Sequence, residues 1–515
     1  MKIFPRFRRT VNSRLKIVSF LFISVWWLSG CAATSTFTNH PAKIDPLIAT
    51  IQSGQSIDLD NCLLSERRSS DGLLYDMERG RLAQILGKAD ISVHDFSSAA
   101  ERIGQNDEKA RVSLSDLGAN TAAVEVNNNA VPYEGAGYER VMLHHYQALN
   151  YLKRNDLEGA GVEVRIANIE QEEALKQHEE EVGRALKEAK EQKVHRLMRT
   201  PAITNAYAEM DEVAGKVKNS FQNAYTFYLS GFIYEAMQEP NDAYIDYKRA
   251  LEIYPENGFL QKDVLRLAKE LGITENPNVL KPGSHAAPNP LNSDGDLLVL
   301  FEDEFIPRKT QVNIPINIPH LGLLAVAFPV YRTEWTPPRP LTIEADGTFV
   351  GKTEPICDFR SLAVKALKED VPVIATRQLV RLVSKGATAN MVRQRLGLIG
   401  VVWVSLWNVA GENADLRSWN SLPANAQVLR AALPAGRHRL TILPEGASVP
   451  VTVVVRIAEG SRNILHVIRA GQELYTSFIP LRRDKSSAAS TPPPVEVDQS
   501  RSPITNRSQK TSNRG

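Results

Sequence analysis

The sequence predicts a multidomain chain: an α-helical, tetratricopeptide-like repeat domain followed by an α+β domain. Three observations predict it. Apolar residues recur at helical spacing from about residue 72 to 274, short β-rich runs take over from about 296 to 480, and a stretch rich in Pro and Gly lies between them. With 43% hydrophobic and 23% charged residues in a chain of 515, there is enough apolar material for two or three globular cores.

The helical half carries its clearest internal pattern from Tyr225 to Pro255. Phe227, Gly231 and Tyr234 fall on a first helix, Ala243, Tyr247 and Ala250 on a second, and Pro255 ends the unit. Small residues at Gly231, Ala243 and Ala250 let two antiparallel helices approach closely, and Tyr234 and Tyr247 fill the space between. A weaker copy starts near Val141, with Ala148, Tyr151, Ala160 and Ala167 in register, and a fainter one holds Gly80, Ala83, Phe96 and Ala99. Three units suffice to stack a continuous core. The alternative is an irregular helical bundle with a single such hairpin.

Between the copy near Val141 and the one at Tyr225, residues 163–199 hold 17 charged side chains in 37 positions, with Leu175, Val182, Leu186 and Ala189 as a narrow apolar seam. Thr200 and Pro201 read as the cap and first residue of the next helix. This predicts a long charged helical hairpin near 162–220 that projects from the stack. It is either a partner-binding or self-association arm, or a solvated extension.

In the second half, Leu297–Phe301, Val312–Ile318 and Leu323–Phe328 read as strands, and Ile343–Val350 crosses a turn at Asp346-Gly347. After Asp358 the spacing becomes helical. Leu396–Val409 is apolar but too short to span a bilayer, which takes about 20 residues, so it reads as a core helix. Strands return at Gln427–Leu433, Arg439–Leu443, Val449–Ile457 and Asn463–Ile468. A sheet or sandwich with the helical block on one side is expected.

The termini concern location. Lys2, Arg6, Arg8, Arg9, Arg14 and Lys16 precede an apolar run from Ile17 to Trp27, and Leu28-Ser29-Gly30-Cys31 follows. These residues resemble a bacterial lipoprotein signal peptide. The resemblance implies cleavage before Cys31, lipidation of its thiol, and, with Ala32 next, anchoring to the periplasmic face of the outer membrane. The expected divisions are a leader over 1–30, a tether over 31–60, the helical domain over 61–275, a linker over 276–295, the α+β domain over 296–481 and a disordered tail over 482–515. Losing the six basic residues of the leader turns a formal charge of +2 into −4, which argues against nucleic-acid binding. Cys62 and Cys357 are the remaining cysteines; they form a disulfide between the domains or stay as two buried thiols.

Catalytic signatures are missing from the sequence: there is no phosphate loop, no G-x-S-x-G and no metal-ligand spacing. No cofactor and no metal are expected. Of the adjacent His144 and His145, one ring is expected to pack and the other to face water, and Glu302-Asp303-Glu304 reads as a solvated loop. Asp415, Arg417 and Trp419 read as a buried Asp–Arg pair under a Trp lid, with a ligand site as the alternative.

Two blocks carry a resemblance. Tyr133–Leu152 (YEGAGYERVMLHHYQALNYL), and Asn413–Trp419 with Leu422-Pro423 and Leu433-Pro434-Ala435-Gly436, resemble an uncharacterised family of Gram-negative tetratricopeptide-repeat-containing lipoproteins. The resemblance implies location and architecture and brings no catalytic residues. The functional expectation is a scaffold or assembly factor that binds an envelope protein on the concave face of its repeats, with Tyr138, Glu139, Arg140, His144 and Tyr228 as candidate partner-binding residues. The competing expectation is an enzyme or binding protein for peptidoglycan or glycan that uses the α+β domain.

Overall fold

The computed structural model describes residues 40–115 (65 excepted), 132–273 (193 excepted), 294–381 (319–321 excepted) and 413–481 (447–448 excepted). The N-terminal half is helical and the C-terminal half is rich in sheet. Helix α1 spans His40–Gln52, α2 Gly72–Ile85, α3 Ala89–Ser115, α4 Gly137–Lys153 and α5 Leu157–Glu191. Short helices α6 (Pro201–Ala208) and α7 (Asp211–Ala214) follow, then α8 (Ala224–Ala236), α9 (Pro240–Ile253) and α10 (Gly258–Leu271).

Three consecutive hairpins, α2/α3, α4/α5 and α8/α9, form the helical layer. Glycine sets the closest approach in two of them. A Cβ at Gly231 would stand 2.6 Å from Tyr247, and one at Gly80 would stand 2.7 Å from Phe96. The first helix of each hairpin is enclosed nearly all round: every residue of α2 is buried, and so is almost every residue of α4 and α8. An enclosed helix has no solvent face and therefore no apolar stripe.

The second half builds two sheets. The larger is ordered β11-β10-β1-β7-β6, from β1 (Asp294–Phe305), β6 (Glu354–Asp358), β7 (Pro423–Pro434), β10 (Arg462–Ala470) and β11 (Glu473–Leu481). Only the β1–β10 pair is parallel. The smaller is ordered β5-β4-β8-β9, from β4 (Leu341–Ala345), β5 (Thr348–Lys352), β8 (Gly436–Pro444) and β9 (Val451–Ile457). A separate hairpin pairs β2 (Lys309–Ile318) with β3 (Gly322–Tyr331). Helix α11 (Phe359–Glu369) starts at Asp358, whose carboxylate accepts from the Ser361 amide, and residues 371–381 continue in helix.

The two sheets pack as a sandwich. Leu297, Val299 and Phe301 of β1 meet Leu341, Ile343, Leu440, Ile442, Val453 and Val455 of the smaller sheet. The other face of β1, with Leu298 and Leu300, joins one continuous core with Phe96, Tyr146, Tyr225 and Phe232 of the helices. Helices, large sheet and small sheet thus form successive layers, and β1 is buried on both faces.

Several expectations are corrected. The tether ends sooner than residue 60, because 40–52 is a helix that buries His40, Ile44, Ile48 and Ile51. The linker does not reach 295, because β1 begins at Asp294. The charged arm is one long helix of 35 residues, and among the described residues it is followed by the short α6 and α7 in place of a matching return helix. Its far end is packed: Ala185 and Ala189 are buried, the Thr376 hydroxyl donates to the Ala185 carbonyl, and Arg377 pairs with Glu181. Helix α6 begins at Pro201 after Thr200, although the Thr200 hydroxyl makes no capping bond. The leader, Cys31, the stretch 396–409 and the tail lie outside the described residues.

Candidate functional site

The five residues expected to face a partner all point inward. Tyr138, Glu139, Arg140 and His144 of α4 and Tyr228 of α8 are buried, so none of them is open to a partner. Arg140 is held by Asp107 and Glu170, His144 by Glu163 at 2.6 Å, and the Tyr228 hydroxyl donates to Asp263 at 2.7 Å. His145 does not face water either. It stacks on Tyr225 with ring centroids 4.4 Å apart and meets the Thr226 hydroxyl at 3.2 Å.

What covers Glu139 is a later segment of the chain itself. The segment 413–422, which enters β7 through a turn closed by the Leu422 amide on the Trp419 carbonyl, meets α2 and α4 and is gripped by its backbone. The Trp419 amide donates to Glu139 at 2.8 Å, and the Asn420 and Ser421 amides donate to the two oxygens of Glu78 at 2.7 and 3.2 Å. Glu139 also accepts from the Ala136 amide and the Tyr133 and Tyr138 hydroxyls. Buried carboxylates that accept several such bonds lose little by leaving water. The fully buried Trp419 ring lies edge-on to Phe96 and Tyr146, each 5.9 Å away, and its indole N–H donates to Ser421. Arg417 is clamped by Asp415 and by Asp71 of the helical half, so Asp415, Arg417 and Trp419 come together as a tie between the halves.

Two ionic clusters lie along β1 beyond this tie, because Asp296, Leu298, Leu300 and Glu302 alternate onto its helix-facing side. At one end, Glu302 is fully buried and meets Arg81, His466 at 3.0 Å, and the hydroxyls of Tyr146 and Tyr225 at 3.2 and 3.1 Å. Burial pushes the Glu302 carboxyl up, but Arg81 and His466 outweigh it and bring it down to about 2, whereas burial, helped by His466 and Arg81 against the pull of Glu302, lowers His145 to about 3. At the other end, Glu235 of α8 meets Arg266, Arg430 and Arg462, while Asp263 and Asp296 complete the set. Burial would raise the Glu235 carboxyl; the three guanidinium groups hold it well below the usual carboxylate range.

Sequence reasoning took Glu302 for a solvated loop and missed Arg81, Glu235, Arg430, Arg462 and His466. A signal for the acids was present: Asp296 and Glu302 interrupt an apolar strand at positions of one parity. Cys62 and Cys357 are free and unbridged, and burial pushes the Cys62 thiol up to about 11, away from reactivity. No group of three His, Cys, Asp or Glu able to hold a metal ion occurs among the described residues.

No family model, no curated protein and no solved structure matches this chain. Its chemistry is therefore read from the geometry alone. Enclosed carboxylates accept backbone amides, enclosed arginines neutralise enclosed acids, and the result is a clamp on the backbone of residues 419–421.

Proposed function

We propose that the protein is a lipoprotein of the outer membrane, anchored through Cys31, that acts as a protein-binding scaffold or assembly factor in the cell envelope. The observation that supports this reading best is the clamp: helical hairpins hold residues 413–422 by backbone amides on Glu78 and Glu139. Stacked helical repeats create extended surfaces that serve binding. The repeat reading rests on equivalent pairs at one spacing, Gly80 with Phe96, Ala148 with Val164 and Gly231 with Tyr247. Since the inner face is filled by the chain's own sheet, the partner surface is assigned to the outer helices. There Ile169 of α5 is 53% exposed and Ile245 of α9 is 47% exposed. Both stand beside the ion pair between Glu172 and Arg249, which joins the two helices. Contiguous apolar patches rimmed by polar residues mark interaction surfaces, and the ion pair between α5 and α9 brings the helices that carry these two isoleucines together.

Crosslinking of the lipidated protein in cells tests the reading. One defined envelope partner is expected, lost in an Ile169→Glu/Ile245→Glu double variant that melts like the parent, and a Cys31→Ala chain is expected to leave the membrane fraction. A partner captured equally by the double variant would remove the outer helices from the reading; a Cys31→Ala chain that stays in the membrane would remove the anchor.

A further inference from the structure

The small sheet has an outer face that nothing in the described chain covers. Its inner residues, Leu440 and Ile442 of β8 and Val453, Val455 and Ile457 of β9, pack on the large sheet. By alternation Arg437, Arg439, Thr441 and Leu443 of β8, and Thr452, Val454 and Arg456 of β9, point the other way. The register places Arg437 directly opposite Arg456, with Arg439 two residues along the same face. Like charges directly opposite each other across a sheet are destabilising, so this arrangement costs the isolated fold something. Neither the Arg437 nor the Arg456 guanidinium has a hydrogen bond or ion pair among the described residues. Lys352 of β5, in line with Thr342, adds a fourth cation, and Glu344 is the one acid on the face. Asp346, at the β4–β5 turn, is engaged by His438 at 2.7 Å and by the Arg439 amide.

Apolar side chains surround these cations. Phe349, which shares the face with Glu344 across a bulge, is 61% exposed, and Val449, just before β9, is 74% exposed. Leu443 is exposed on the same face. Arginines with uncompensated charge interleaved with exposed aliphatic and aromatic groups suit one surface in particular. An anionic bilayer gives phosphates to the guanidinium groups and an apolar margin to Phe349, Leu443 and Val449. An acidic polymer would leave those three side chains in water.

We infer that the outer face of the small sheet, built on Arg437, Arg439, Arg456 and Lys352, docks on the surface of a membrane rich in anionic lipid. The face stands independently of the lipid anchor. If Cys31 is lipidated, as proposed above, then the nine residues from Cys31 to His40 reach at most about 30 Å and keep the folded chain close to that surface.

The test uses the chain from Ala32 onward, which carries no anchor and keeps every described residue. It is floated with vesicles of phosphatidylcholine alone or of equal parts phosphatidylcholine and phosphatidylglycerol. Binding to the anionic vesicles only is expected, weakening as salt is added. Arg437→Ala and Arg456→Ala are each expected to lower the partition coefficient about fivefold, the equivalent of about 1 kcal/mol per basic residue at an anionic surface. Phe349→Ser is expected to weaken it further, with melting unchanged in all three variants. Equal binding to both vesicle types, or wild-type binding by the Arg437→Ala/Arg456→Ala pair, would overturn the inference, as would capture by polyglutamate with no binding to either vesicle. Because the anchor is absent, failure of the Cys31 reading leaves this result untouched.

Discussion

Asp246 shows at the scale of one residue how the helical layer carries strain that the core absorbs. It lies buried in α9, accepting from the Ser230 hydroxyl at 2.5 Å and from the Asn168 amide at 2.8 Å, while Arg249 stands 3.9 Å away. Burial outweighs these partners and raises its carboxyl to about 6 from 3.8. A folded-state value above the unfolded one means that the native chain holds this proton more tightly. The resulting stability is fully present below about pH 4 and is lost as pH rises through about 6. Asp246→Asn keeps an oxygen acceptor without the charge. It is expected to stabilise the protein by about 1–3 kcal/mol at about pH 8, the upper figure being a shift of about two units at 1.36 kcal/mol each. The gain should shrink towards zero below about pH 4. Melting of both proteins across that range checks it, and a gain that grows as pH falls would reverse the sign of the account.

At the scale of elements, legibility followed how local the signal is. The strands from Leu297–Phe301 to Asn463–Ile468, and the hairpin turn at Asp346-Gly347, were readable because each alternates or runs apolar between turn residues. Helix α1 was not, because Pro41 and Pro46 within 40–52 read as tether, yet its Ile44, Ile48 and Ile51 pack on neighbours. The small residues that seat the hairpins were readable for the same local reason. The clamp was not, since its partners are distant in sequence: Glu78 and Glu139 lie roughly 280 residues or more from the amides they hold. A local reading takes polar residues on an enclosed helix for solvent-facing ones, which is why Tyr138, Glu139 and His144 were assigned to a partner. Trp419 anchors the clamp, and Trp419→Ala is expected to cost about 3–5 kcal/mol, as large core truncations do. Urea unfolding measures it. A loss below about 1 kcal/mol would mean that the segment 413–422 rests on the helices without being held by them.

The whole molecule is bound across its two halves by materials that neither half can satisfy alone. Leu298, Leu300, Val428 and Ile464 of the sheet complete a core begun by Tyr146, Tyr225 and Phe232 of the helices. Arg430 and Arg462 of the sheet hold Glu235 of α8, and Arg81 of α2 holds Glu302 of β1. Removing one half leaves the apolar area of the other bare to water, which removes the burial that its core depends on. The intact protein is therefore expected to melt as one unit, although its composition shift near residue 276 suggests two. Residues 40–273 expressed alone should show helix without a sharp transition and should bind a hydrophobic dye, and adding residues 294–481 should restore a cooperative melt. Calorimetry of the whole chain and of the helical fragment decides the matter. Two separate transitions in the former, or a sharp one in the latter, would mean that the seam joins two domains that fold by themselves and that the ionic clusters serve their docking rather than their folding.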